Sequence, residues 1–137
     1  MNAQQVVNLV SHNQGGTFAV KDGEISVFDG DVGYAVSRVG SEVQVPEAAF
    51  GPADIEAYLK ALPDGVLFGV WIADGIVYLD QSDVLTDTLE TAILIFMESD
   101  IAWLGDEDTL LERAIVLGKI RNQKAIWSFS EKTAIEL

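Results

Sequence analysis

The chain has 137 residues, 22 Asp and Glu against 8 Lys and Arg, a formal net charge of −14, a hydrophobic share of 49% and no cysteine. This length predicts one domain, 1–137, with a real core, and the composition excludes extensive disorder, which needs low hydrophobicity together with high charge. The lack of cysteine excludes disulfides, cysteine nucleophiles, iron–sulfur clusters and cysteine zinc sites, and so acidic a chain repels nucleic acid and anionic membrane while attracting basic protein surfaces.

Ala3, Val6, Val7 and Val10 recur at i, i+3, i+4 and i+7. They predict a short helix that ends between Ser11 and Gly16. Thr17 to Val20 and Glu24 to Phe28 flank Asp22-Gly23, a strong hairpin signal. Asp29-Gly30 turns the chain again. Val32 to Val39 alternates as a strand, Gly40-Ser41 turns, and Glu42 to Val45 forms a further strand that Pro46 stops. Gly51-Pro52 opens a helix with Ile55, Tyr58, Leu59 and Leu62 on one face, and Pro63-Asp64-Gly65 closes it. Val66 to Ile72 and Ile76 to Asp80 form a second hairpin around Asp74-Gly75.

Thr86 to Ser99 has its apolar residues on one continuous helical face, with Asp83, Asp87 and Glu90 near the start, where the helix dipole favours carboxylates. A helix is expected there, with a buried strand over Ile93-Leu94-Ile95-Phe96-Met97 as the alternative. Ile101 to Leu104 is expected as a short strand, Thr109 to Arg121 as a helix opened by Gly105-Asp106-Glu107-Asp108, and Lys124 to Phe129 as the last strand. Met1 to Ala3 and Lys132 to Leu137 are expected to fray. The class is α+β: a mixed, largely antiparallel sheet with helices packed on one face. No secretory pattern opens the chain, and the longest apolar run, Ala92 to Met97, is too short to span a bilayer. A soluble cytoplasmic protein is expected.

No motif names a reaction. His12 is the single histidine, and nothing beside it in sequence orients it as a general base. Asp80, Ser82, Asp83 and Asp87 supply the hard oxygen ligands that Mg²⁺ or Ca²⁺ prefers, but their spacing fails the EF-hand pattern and reads as a strand end leading into a capped helix. No phosphate-binding glycine loop is present. No cofactor or metal is therefore expected. Trp71, Trp103 and Trp127 each fall in a predicted strand, where packing is the ordinary role and ligand stacking the alternative.

The distribution of charge is the most informative feature. Between Ala61 and Glu112 the chain carries twelve carboxylates and no Lys or Arg. Asp74, Asp83, Asp100, Asp106, Glu107 and Asp108 are the residues expected to form an acidic protein-binding face.

Gly69-Val70-Trp71, Asp74-Gly75, Val77-Tyr78-Leu79-Asp80, then Ala114, Gly118 and Asn122-Gln123-Lys124-Ala125-Ile126-Trp127 resemble a pattern in small uncharacterised acidic proteins of actinobacterial phages. Gly33-Tyr34-Ala35-Val36-Ser37 is similar to a segment of them too. The resemblance covers about half the chain, in pieces, and the insertion between Asp80 and Glu112 is longer here. It implies a phage or mobile-element origin and brings no activity. The function expected is a non-enzymatic acidic binding protein, of the phage or immunity type, that occupies a basic groove of a nucleic-acid-acting protein. The alternatives are an oligomeric structural or adaptor protein and a small carboxylate or metal-dependent enzyme using Asp80, Asp83 and Asp87.

Overall fold

The computed structural model describes residues 1–28, Gly30, 32–62, 66–86 and 110–137. The helices are α1 (Ala3–Asn13), α2 (Pro52–Lys60) and α3 (Leu110–Ile120). The strands are β1 (Gly15–Lys21), β2 (Glu24–Val27), β3 (Tyr34–Ser37), β4 (Val43–Pro46), β5 (Leu67–Ala73), β6 (Ile76–Leu85), β7 (Ala125–Ser128) and β8 (Thr133–Glu136), with a 3-10 turn at Glu47–Ala49. Every strand register described is antiparallel, and the class is α+β, as the sequence predicts. Contacts gather the chain into two compact units. One is Met1–Asp29 with Gly40–Ser82, the other Gly30–Val39 with Asp83–Leu137.

In the first unit, the strands run in the order β2-β1-β5-β6, with β4 also pairing along β6. Alternation sends Phe18, Val20, Phe68, Val70, Val77 and Leu79 to one face, where Ala3, Val6 and Val10 of α1 and Ile55 and Tyr58 of α2 cover them. Both helices start as their sequences require. The Asn2 side chain accepts from the Gln5 N–H while Gln5 accepts from the Asn2 N–H, a reciprocal cap. At α2, the Asp54 carboxylate accepts from the Gly51 N–H at 2.9 Å, with Pro52 in the first turn. Tyr58 fills the core with its ring and donates its hydroxyl proton to the Ser41 carbonyl at 2.8 Å. Burial, reinforced by the negative charge of Asp80, pushes the Tyr58 phenol up to about 12, so it stays a neutral donor.

In the second unit, the order is β6-β3-β7-β8. Here α3 lays Ala114 and Leu117 on Val36, Leu85 and Ile126, with Tyr34, Ile135 and Leu137 at the margin.

Three boundaries differ from the sequence expectation. β3 covers only Tyr34–Ser37, because Val32 and Val39 lie 66% and 72% exposed outside the pairing. β6 continues past Asp80 to Leu85, through Ser82, which donates to Asp80, and Asp83, which pairs with Arg38 and Arg121. The expected frayed end instead contains β8. Ile135 opposite Ile126 anchors it to the core, and Lys132, at φ 54, makes the turn that no glycine announced. The helix expected over Thr86 to Ser99 and the strand expected over Ile101 to Leu104 lie outside the described residues.

The β5–β6 turn has positive φ at both central positions, 52° at Asp74 and 75° at Gly75. Gly75→Val should cost about 1–3 kcal/mol, since a β-branched side chain is strained there, while Asp74→Asn should be nearly neutral. Urea unfolding of the two variants checks this, and equal midpoints would contradict it.

Candidate functional site

The acids singled out by sequence have different fates. Asp74 is exposed at the tip of the β5–β6 hairpin. Asp100, Asp106, Glu107 and Asp108 lie outside the described residues, as does Asp87. Asp80 and Asp83 share β6 but belong to different units.

Asp83 is not among the exposed acids. Its carboxylate lies between two guanidinium groups of the second unit. Arg38 donates through Nε to both oxygens at 3.1 Å and through Nη2 to Oδ1 at 2.7 Å. Arg121 approaches Oδ2 with Nη2 at 3.0 Å. The Arg121 side chain is only 2% exposed, and its Nη1 also donates to the Val36 and Ser37 carbonyls at 3.4 and 3.3 Å. Burial alone would push the Asp83 carboxyl up. The Arg38 hydrogen bonds and charge, joined by those of Arg121, outweigh it and hold the group below the usual carboxylate range. Sequence gave no sign of this, since Arg121 reads as an ordinary basic residue ending a helix.

Asp80 is buried in the first unit, where its Oδ1 accepts from the Ser82 hydroxyl at 3.1 Å. The carboxylate lies over Gly69 on β5, where a Cβ would meet Oδ1 at 3.0 Å. Next along the same face comes a cross-strand row: Gly15 of β1 opposite Trp71, Trp71 opposite Tyr78, and Tyr78 opposite Gln44 of β4. The two rings lean together, centroids 5.0 Å apart at 32°. This face is opposite the one the helices cover, and Trp71 is 37% exposed on it. Gln44 donates to the Glu42 carboxylate at 3.0 Å. The Glu47 N–H donates to the Gly75 carbonyl at 2.9 Å, which holds Glu47 beside the hairpin tip that carries Asp74. Asp74, Asp80, Glu42 and Glu47 thus lie on or beside the strands that carry the aromatic pair. Sequence placed Trp71 in a strand but could not say which face of that strand was covered.

Trp127 is also 37% exposed, between Ala35 and Ala134 across its neighbouring strands, and Trp103 lies outside the described residues. His12 is exposed in the last turn of α1. Among the described residues, no three His, Asp or Glu come together as a metal site, and no helix is long and apolar enough to cross a membrane. No family model matches the chain, and no curated protein or solved structure gives a significant match.

Breaking a buried ion pair from one side strands the remaining charge. Asp83→Asn should therefore lower stability by about 3–5 kcal/mol, whereas Arg38→Met, at a side chain 46% exposed, should cost about 1 kcal/mol or less. The stability that the depressed Asp83 carboxyl contributes is fully present above its unfolded value near pH 4 and is lost as pH falls through the folded value below that. Urea titrations down the pH scale should show wild type and Asp83→Asn converging in acid; a constant gap between them would count against the ion pair. Separately, thermal melts in EDTA and in millimolar Mg²⁺ or Ca²⁺ should nearly coincide, and a large upward shift at micromolar metal would reinstate Asp80 and Ser82 as ligands.

Proposed function

We propose that this chain is a non-enzymatic acidic binding protein that occupies a basic protein surface, as a phage or immunity-type inhibitor of a nucleic-acid-acting protein does. One observation carries the reading. The Arg38–Asp83–Arg121 cluster uses two of the eight cations but one of the 22 acids, so the rest of the chain carries six cations against 21 acids. Arg121 is thus withdrawn inside, and the half-exposed Arg38 is committed to Asp83. Exposed Asp22, Glu24, Glu42, Glu47 and Asp74 on the first unit remain available for a basic partner. The piecewise resemblance to acidic phage proteins agrees with this reading.

The alternative, an oligomeric structural or adaptor protein, draws on Val27 and Val43, which are 47% and 44% exposed on the short strands β2 and β4. The enzyme reading loses ground because Asp80 bonds Ser82 and Asp83 is held by two arginines.

The test is affinity capture from an actinobacterial lysate, followed by surface plasmon resonance on the captured partner over a salt series. The association rate of wild type should fall as NaCl rises, because steering acts over a Debye length of about 8 Å at physiological salt. Glu42→Lys, Glu47→Lys and Asp74→Lys combined should slow association by about tenfold and flatten the salt dependence. An association rate indifferent to both salt and these reversals would reject the acidic reading in favour of an apolar interface.

A further inference from the structure

We propose that the Trp71–Tyr78 ledge is the contact centre of that interface, and that it takes an arginine side chain from an arginine-rich segment of the partner. The inference rests on the acidic-binding reading and adds to it the position of the site and the identity of the residue it accepts.

Four features of the first unit point to this. Trp71 and Tyr78 are adjacent on the sheet face opposite the helices, and Trp71 is well exposed there. Binding energy at protein interfaces concentrates at such aromatic residues, surrounded by a polar rim. Trp71 has Tyr78 on one side only. Its cross-strand neighbour on the other side is Gly15, where a Cβ would meet Trp71 Cβ at 3.3 Å and the Val70 carbonyl at 3.2 Å. Glycine therefore leaves that flank of the indole clear of any cross-strand side chain.

The surroundings are negative. Glu42 is tied to the row through Gln44, the Glu47 backbone is held beside the hairpin tip that carries Asp74, and the buried Asp80 carboxylate is in the next row over Gly69. Beside Tyr78 a shallow, solvent-open depression of about 230 Å³ is lined by Gln44, Val45, Pro46 and Ile76. It suits the methylene stem of a long cationic side chain.

Arginine fits this setting better than lysine. A guanidinium is planar and weakly hydrated, stacks on an aromatic face, and can still present its fork to a carboxylate. Lysine offers a compact, strongly hydrated charge that gains less from the ring. Trp127 provides the internal comparison. It is as exposed as Trp71, but it is on a strand preceded by Lys124 and followed, across its turn, by Lys132.

The experiment titrates fluorescein-labelled oligo-arginine and oligo-lysine peptides of equal length into the full chain, with binding read by anisotropy. Wild type should bind oligo-arginine about tenfold more tightly than oligo-lysine. Trp71→Ala should abolish that preference and weaken oligo-arginine by about tenfold, while Trp127→Ala changes neither. Trp71→Leu, which keeps apolar bulk without the ring, should behave as Trp71→Ala and guards against a folding defect. In wild type, the Trp71 indole N–H resonance should shift on adding oligo-arginine and the Trp127 resonance should not.

Equal binding of the two peptides overturns the proposal, as does unchanged oligo-arginine affinity in Trp71→Ala or a still Trp71 resonance. If both peptides bind with a strong salt dependence that only Glu42→Lys, Glu47→Lys and Asp74→Lys diminish, the ledge fails while the acidic reading stands. If neither peptide binds even at low salt, both fail.

Discussion

The two-residue turn at Asp74-Gly75 is the constraint on which the first unit depends. Strand side chains alternate with a period of two, so a slip of one residue would carry every side chain of β5 or β6 to the other face. The turn forbids that slip. It sets Trp71 against Tyr78 and Val70 against Leu79. The first pair faces away from the helices, and the second closes the core beneath α1 and α2. The aromatic ledge and the hydrophobic core are therefore two results of one register. β1 and β4 extend it on either side, and β4 does so with Gln44 opposite Tyr78 and Val45 opposite Val77.

Much of this architecture was legible because its signals are local. Asp22-Gly23 and Asp74-Gly75 announce hairpins by the backbone angles they permit. Asn2, Gly51-Pro52 and the spacing of Val6 and Val10 announce helices by capping chemistry and by a period of 3.6 residues. What escaped depends on residues distant in sequence. β6 runs through Asp83, a poor strand residue, because Arg38 and Arg121 neutralise it from 45 positions before it and from the end of α3. β8 escaped because a four-residue strand has little periodicity of its own and its turn relies on Lys132 instead of glycine. For the candidate site, the sequence made Trp71 and Tyr78 visible as strand residues but not as partners on an uncovered face. Their pairing across the hairpin is a property of the register.

The two faces of the charge distribution follow different physics. At Asp83, burial makes each hydrogen bond matter and fixes the geometry, because a stranded guanidinium has no water to turn to. At Glu42, Glu47 and Asp74, exposure leaves each carboxylate weakly coupled to its neighbours, and its influence reaches outward as a field. A count of acids cannot distinguish these roles, so net charge overstates the contribution of some residues to an interface and conceals that of others.

The arginine–aspartate–arginine cluster also limits how this chain can diverge. Residues 83 and 121 come from separate segments, yet neither can change its charge alone without leaving a buried or half-buried ion uncompensated, whereas Arg38 is half exposed and its loss leaves Asp83 paired with Arg121. A well-packed apolar pair of similar volume could replace Asp83 and Arg121 together at little cost, since a buried ion pair adds less to stability than its absence from one side removes. Substitution at these positions should therefore be concerted. Among diverged relatives, positions 83 and 121 should covary as a pair that is either ionic or apolar, even where position 38 and the acidic surface drift freely.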